Sequence, residues 1–534
     1  KISAWTTWLK RDWIANGPKK SSEDVAYDIA LYSEIAAGNL GQVSVVIIMD
    51  DLEKGFEKVN HADLLAKASI YGFPSDIAKL AIAMYRSPRR ICCGMAYSRA
   101  TRTNRGVLAG CPIAMGLLLL ANLKPVDDFW ANLPPRIRDN IVVFRVYVDD
   151  FIIAFRLDSN KLSVDEMQTI VAGAYIRLSS AITKTGANFA LGKGRVTATD
   201  IELANKIKAA LNWCQCKASD PTPCKCDSNH RIEARRDITI LGVDYSAGRS
   251  VGYARNKERV ADAKSKASKI VSLCKGGHFA LNLIRTHVHA SANYGTRVNG
   301  MSDKVLDAVR MMTRTATSTR AAGGSSRIDL LLQSPKDIDP SFAANCLPLI
   351  TWAKRINNAF YHQDAGTVNR MREAWSAAMA NMHHDNTNGT KVWDCVRGPA
   401  SACIATLGRI GWDIHISNAW RVWIDRSGNE IDLVSIPIHS LKKTLHRDIT
   451  IMLWTQSTLY HDTKEDLGDL SELGLWLEPI RSVVLGKDKQ LGAMARSVAI
   501  GTQWTQSRIE QAGYADVGDN KCRLCNDSVG TLTH

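Results

Sequence analysis

The chain has 534 residues, enough for about three to five domains that each bury a core, which excludes a peptide hormone or a disulfide-held miniprotein. With 45% hydrophobic and 23% charged residues, the composition is that of a globular protein and excludes wholesale disorder. Lys and Arg outnumber Asp and Glu by 68 to 53, a formal charge of +15, which favours a polyanionic partner such as nucleic acid or an acidic membrane surface.

Of the thirteen cysteines, nine are dispersed or adjacent (Cys92, Cys93, Cys111, Cys274, Cys346, Cys395, Cys403, Cys522, Cys525), a usage that suits reduced thiols in an intracellular protein. The chain opens on Lys1 without Met or a charged segment leading into an apolar one, so a truncated piece with no signal peptide is expected. Gly106 to Leu123 runs without a charge for the length of a membrane span, but two glycines, Pro112 and Asn122 point to a buried core helix, and no membrane is expected.

Along the chain, a helix is predicted over Ser22 to Ala37, capped at Ser22 with Glu23 and Asp24 in its first turn. Val43 to Met49 is a short β-branched run that reads as a strand covered on both faces and ends in Asp50 and Asp51. Helices follow over His61 to Tyr71 and Asp76 to Tyr85, then a strand over Arg90 to Tyr97 and the apolar helix after Pro112. A strand over Ile141 to Val148 meets Asp149 and Asp150, and Phe151 to Phe155 continues as its hairpin partner. A helix over Val164 to Thr185 and one strand over Ile238 to Tyr245 come next.

From Arg255 the pattern is helical, with Val260, Ala263, Ala267, Ile270, Val271 and Cys274 on one stripe and Lys264, Lys266 and Lys269 mostly off it. Residues 251 to 340 carry 15 basic against 7 acidic residues, so more than half of the excess charge lies there. Ala321 to Ser326 breaks the helices, and beyond Pro340 a segment rich in Trp (Trp352, Trp375, Trp393, Trp412, Trp420, Trp423, Trp454, Trp476) is read as core, with a hairpin around Asp425 to Glu430.

Two strands that each end in acids invite a common site, because neighbouring strands of one sheet would join their ends. Clustered carboxylates repel one another unless cations sit between them. Hard oxygen ligands suit Mg²⁺, and two such ions about 3.5 to 4 Å apart serve in-line displacement at phosphorus.

The spelling around these acids carries a resemblance. Phe144 to Phe155, FRVYVDDFIIAF, resembles the catalytic hairpin of reverse transcriptases, an aromatic residue (Tyr147), a small one and two aspartates between apolar strands. Ile48 to Leu65, IMDDLEKGFEKVNHADLL, resembles the first carboxylate motif of non-LTR (LINE-type) retrotransposon enzymes and aligns Asp51, not Asp50, as metal ligand and Phe56 as the aromatic beneath the incoming sugar. Arg105 to Met115, RGVLAGCPIAM, resembles the segment that packs on template and nucleotide, through Gly106, Gly110 and Pro112. It departs where Ala109 replaces a usual glutamine and Ala114 a usual serine. Gly186 to Lys193 resembles the motif whose lysine, here Lys193, works near the leaving pyrophosphate, and Ile240 to Val243 the element that grips the primer. The resemblance covers about Ser21 to Asp244, and the later basic helices, with Tyr294 and Gly295, suit the family's thumb.

The resemblance implies an α+β right-hand polymerase with an antiparallel, RRM-like palm sheet. Residues 1–40 would be partial fingers, 41–248 the palm with interleaved fingers segments, 249–335 a basic helical thumb, 336–515 a connector and 516–534 the start of a zinc knuckle. It also implies an RNA template, a DNA primer or target, deoxynucleoside triphosphates, two Mg²⁺ held by Asp51, Asp149 and Asp150, and a nuclear location. A viral RNA-dependent RNA polymerase is disfavoured because Phe56 stands where that class keeps a hydrogen-bonding acid. The alternative is a decayed or domesticated relative that binds RNA without catalysis. Cys214, Cys216, Cys224 and Cys226, near His230, offer four soft ligands sufficient for tetrahedral zinc. Cys522, Cys525 and His534 follow the start of a Cys-Cys-His-Cys knuckle, of the kind that lies after the polymerase in LINE-type proteins, its fourth ligand falling beyond His534.

Overall fold

The computed structural model describes the chain apart from residues 19, 40, 191, 212–231, 275–279, 318–324, 334–337, 388–389, 415–417, 462–476, 501–505, 512, 514–515, 517, 519 and 531–534. It divides into two units, Lys1–Gly252 and Tyr253–His534. The described residues form a mixed α+β structure, mostly helical, with one five-stranded sheet and three two-stranded ribbons.

In the first unit, helices α1 (Ile2–Leu9) and α2 (Ser22–Gly38) precede strand β1 (Val43–Asp51). The α2 cap is Ser21, one residue earlier than the sequence suggests, because Ser21 forms a reciprocal capping box with Asp24. Then come α3 (His61–Ile70), α4 (Ser75–Arg86), β2 (Cys92–Cys93), β3 (Ala96–Tyr97), α5 (Ala114–Ala131) and α6 (Pro135–Arg138). The expected strand over Arg90 to Tyr97 is instead a small ribbon that reverses at Gly94, whose φ of 59° suits glycine. Next are β4 (Ile141–Tyr147), β5 (Asp150–Asp158), α7 (Val164–Thr183), β6 (Arg195–Ala198), α8 (Ile201–Leu211) and β7 (Glu233–Ala234). The single strand expected over Ile238 to Tyr245 is a hairpin, β8 (Asp237–Ile240) and β9 (Val243–Ser246), folded at Leu241 and Gly242 with φ of 47° and 86°.

The sheet order is β4-β5-β1-β6-β7, antiparallel except for the β6–β7 edge. Its first four strands, with the intervening helices, follow a βαββαβ order that places β1 and β5 at the centre. Alternation assigns the faces. Val46, Ile48, Phe151, Ile153, Phe155, Val196 and Ala198 join one large core with residues of α5, α7 and α8. Val45, Ile47, Ile152 and Ala154 are buried on the opposite face, where α2 packs on β1 and β4. Only the part of the charge-free run from Ala114 enters a buried helix, α5, in which Pro125 removes the hydrogen bond due to the Ala121 carbonyl; the Lys67 ammonium donates to that carbonyl at 2.7 Å. Among the described residues no helix is long and apolar enough to cross a membrane.

The second unit is helical, starting with Ala254–Cys274, whose buried stripe includes Ala263, Ala267 and Ile270. Later helices include Asp303–Thr317, Pro340–Tyr361, Ala365–Thr387, Pro399–Ile410 and Ile438–His461, with a small ribbon of Val422–Ile424 and Glu430–Asp432. Trp352, Trp375, Trp393, Trp412, Trp420, Trp423 and Trp454 are buried; Trp476 lies outside the described residues. Trp352 donates its ring N–H to the Trp420 carbonyl, Trp412 to Asp448 and Trp423 to the Ala419 carbonyl, whereas the buried ring N–H of Trp454 has no hydrogen-bond partner among the described residues.

Candidate active site

The acids meet because β1 and β5 are antiparallel neighbours: Asp51 pairs in register with Asp150, and the Leu52 N–H donates to the Asp149 carbonyl at 3.1 Å. Asp149 sits in the two-residue turn of the β4–β5 hairpin, where Tyr147 pairs with Asp150. Val148, the other turn residue, has φ of 63°, a left-handed value costly for a β-branched side chain and typical of functional turns.

Strand alternation separates the two acids of β1. Asp50 has the parity of Val46 and Ile48, so it faces the core, where its carboxylate accepts from the Tyr175 hydroxyl of α7 and, at 2.9 Å, from the Asp51 N–H. Gly194 abuts it, since a Cβ there would lie 3.1 Å from Asp50 Oδ2 and 2.8 Å from Ile232. Asp51 points to the other face with Asp150. Its Oδ1 is buried and has no hydrogen-bond partner among the described residues, and its Oδ2 takes the Lys193 ammonium at 2.5 Å. Lys193 arrives there because residues 188–190 run beside 51–53: Glu53 N–H donates to the Asn188 carbonyl and Ala190 N–H to that of Asp51.

Burial, then the charges of Asp149 and Asp51, push the Asp150 carboxyl up to about 7, with Lys193 opposing. Burial and Asp51 raise Asp149 as well. Burial also raises Asp50 to about 6, against the hydrogen bonds from Tyr175 and Asp51. The hydrogen bond to Asp51 and the surrounding carboxylates raise Lys193. Three carboxylates thus share one monovalent cation, the arrangement expected of a site short of positive charge. As the side chains stand, no group of three or more His, Cys, Asp or Glu among the described residues is arranged to hold a metal ion. Lys193 occupies the Asp51 oxygen that a cation would use.

Residues 105–107 are stitched to the turn after Asp51. Gly106 N–H donates to the Val59 carbonyl at 2.8 Å and Val107 N–H to that of Phe56 at 2.9 Å, while the buried His61 ring meets the Gly106 carbonyl at 2.7 Å. Gly106 has φ of 90° and no room for a Cβ, 3.2 Å from the Glu57 carbonyl oxygen. Gly110 also has positive φ but faces open space. Phe56 is half-buried against the main core, Ala109 is exposed and Ala114 is buried at the start of α5.

Cys214, Cys216, Cys224, Cys226, His230 and His534 lie outside the described residues. Cys522 and Cys525 stand in a short loop closed by Cys522 N–H to the Ser528 carbonyl. In the second unit, Lys264 and Lys269 are exposed, Lys266 pairs with Asp262 at 2.6 Å, and the Arg259 guanidinium lies 4.1 Å over the Tyr294 ring.

Two residues of the site are absent from the motifs. Tyr175 falls on the buried stripe of α7 with Met167 and Val171, and an aromatic hydroxyl there requires a polar partner, which Asp50 supplies. Gly194 gives no comparable signal, because its constraint comes from Ile232, distant in sequence.

No family model matches the chain, and no curated protein does. Among solved structures, a telomerase from Candida albicans in complex with a TWJ fragment of telomeric RNA is similar at 12% identity and a TM-score of 0.29, over 58% of this chain and 55% of that one. So slight a likeness carries no weight in assigning the site.

Proposed function

We propose that this chain is an RNA-directed DNA polymerase of a non-LTR, LINE-type retroelement, extending a DNA primer on an RNA template from deoxynucleoside triphosphates. The observation that carries this reading is the convergence of Asp51, Asp149 and Asp150 at the ends of paired strands in a βαββαβ sheet, beside Lys193. The motifs around those residues supply the choice of reaction.

The carboxylates fit Mg²⁺ on chemical grounds: all donors are hard oxygens, Asp51 Oδ1 is buried without a partner among the described residues, and the mutual repulsion calls for cations. Asp51 and Asp149 would hold the ions and Asp150 complete the set. Bound there, Mg²⁺ supplies acidity at the primer 3′ oxygen and neutralises charge at the α-phosphate. Lys193, released from Asp51, offers an ammonium to the departing pyrophosphate. Phe56, half-buried beyond the turn, presents a ring where a ribose 2′ hydroxyl would find no hydrogen-bond partner. The basic helix from Ala254 offers Lys264 and Lys269 to the phosphate backbone. A nuclear location and zinc at the four clustered cysteines belong to the same proposal.

The test is extension of a labelled DNA primer annealed to RNA, with each deoxynucleotide and Mg²⁺. Template-dependent products are expected from the wild-type chain and none from Asp149→Asn. Tight RNA binding without any extension would instead favour a non-catalytic scaffold, the reading that Ala109 and Ala114 support.

A further inference from the structure

The β2–β3 ribbon and its flanks carry a charge pattern unlike the rest of the first unit. Between residues 86 and 105 stand six arginines, Arg86, Arg89, Arg90, Arg99, Arg102 and Arg105, and no acid. Every residue from 90 to 105 is exposed. One arginine is structural: Arg89 donates to the Tyr85 carbonyl and pairs its backbone with Thr101, fixing the base of the ribbon. Among the described residues the other five form no ion pair.

The register arranges these charges. Cys92 pairs with Tyr97, and Ser98 N–H donates to the Ile91 carbonyl, so the ladder continues one step beyond the strands. Alternation along each strand places Arg90 with Cys92 and Arg99 with Tyr97 on one face, just before the Arg89–Thr101 pairing shifts the register by one residue, so both guanidinium groups lie on the side of the ring away from the Gly94 turn, and that ring is 66% exposed. Like charges on one face of a ribbon oppose its formation, and a two-stranded ribbon is marginal by itself. The pattern therefore does not serve stability. Guanidinium groups match phosphate oxygens, and an exposed aromatic face accepts a base by stacking. After the ribbon the chain passes through Arg105 into the segment stitched to Val59 and Phe56, in the turn after Asp51.

We propose that the face of Arg90, Tyr97 and Arg99 grips single-stranded nucleic acid, its arginines pairing with two phosphates and its tyrosine stacking on a base. This rests on the reading of the neighbouring turn as a nucleic-acid site but requires no catalysis by it.

Fluorescence anisotropy of the full chain with a labelled single-stranded RNA, without nucleotides or Mg²⁺, tests it across a salt series. For Arg90→Gln/Arg99→Gln, affinity should fall about tenfold at low salt, and the slope of log affinity against log salt should become shallower by about 1.4, the share of two phosphates at 0.7 each. Tyr97→Ala should weaken binding at least about fivefold with the slope unchanged, and Tyr97→Phe should restore it. Since the ribbon is exposed, thermal unfolding should be the same for all variants. Unchanged RNA affinity and slope in the double variant would overturn the proposal. So would a loss seen only with phosphatidylserine vesicles, which would make the face a membrane contact, or a Tyr97→Ala variant that binds like the wild type. Failure of the polymerase reading shows elsewhere, as absence of primer extension by the wild-type chain.

Discussion

Acids withdrawn from solvent, buried in the second unit and half-buried at the strand ends of the first, are treated in opposite ways. In the second unit the described buried acids are matched by cations: Asp329, fully buried, takes Arg496 at 2.7 Å and Arg314 at 3.3 Å, and Asp339 takes Arg310 at 3.0 Å. Asp425 is held below the usual carboxylate range, its burial outweighed by hydrogen bonds from Asn429, Arg447 and Ser427. In the first unit Asp51, Asp149 and Asp150 crowd together with Lys193 as their one cation among the described residues, and two of them are raised. Acids that hold a fold together are neutralised within the fold. Acids left in deficit at a strand end would take charge from outside if the proposed function holds, and that contrast would then separate site from scaffold.

The largest effects should divide along this line. Asp51→Asn or Asp149→Asn should cut primer extension by about a thousandfold or more while leaving the melting temperature unchanged or slightly higher, because each removes repulsion. Asp329→Asn should do the reverse, leaving the partly buried Arg314 and Arg496 around an uncharged amide at a cost of about 3 kcal/mol. Thermal melts and single-nucleotide extension on the same preparations check both halves. A destabilised Asp149→Asn protein with proportionate activity loss would erase the distinction.

Phe56 sharpens the functional side of the comparison. If its ring excludes the 2′ hydroxyl, Phe56→Val should raise ribonucleotide incorporation about 10-fold to 1000-fold relative to deoxynucleotide, or about 1.4 to 4 kcal/mol of discrimination. If the ring only fills the core beneath the turn, activity with both sugars should fall together. Steady-state incorporation of matched nucleotide pairs separates these outcomes.

Protonation gives a smaller, graded effect. Asp50 and Asp150 have folded-state values of about 6 and about 7 against an ordinary 3.8, so between about pH 4 and 7 the folded chain holds protons that the unfolded chain releases. Stability without metal should therefore fall as pH rises through that window and level off above it. In melts at constant ionic strength, Asp150→Asn should flatten this decline, and Mg²⁺ should raise the wild-type melting temperature more at pH 7.5 than at pH 5.5. A wild-type chain that gains stability from pH 5 to 7 in parallel with Asp150→Asn would remove Asp150 from the deficit.

Most of the first unit could be read in the sequence because its signals are local. The β-branched run of β1, the hairpin acids and the apolar α5 each follow from neighbouring residues, and the sheet brings Asp51 to Asp149 and Asp150 as paired strands must. The misreadings arise where one residue changes the path. Gly94 turns an expected strand into a ribbon, Leu241 and Gly242 fold another into a hairpin, and Ser21 outcompetes Ser22 as cap because only Ser21 stands three residues before Asp24. Periodicity cannot register a two-residue turn inside an apolar run. Nor could it show that Arg145 and Lys193 lie in one unit with different partners, Asp28 and Asp51, since both pairings cross many residues.

The smallest expected effect tests whether Asp50 belongs to the scaffold or to the site. Its carboxylate accepts from Tyr175 and from the Asp51 N–H, so it bears on the orientation of Asp51 although it faces the core. Tyr175→Phe removes one donor and leaves a buried oxygen unpaired, which should cost about 1 to 3 kcal/mol. Asp50→Asn should cost less near neutral pH, because its oxygen can accept from the Asp51 N–H while its amide donates to the Tyr175 oxygen. If Asp50 also orients Asp51, Tyr175→Phe should lower kcat several-fold with KM for the nucleotide unchanged, and Asp50→Asn should retain more of the rate than Tyr175→Phe. A loss of stability in Tyr175→Phe with kcat intact would place Asp50 with Asp329, as an acid that serves the fold alone.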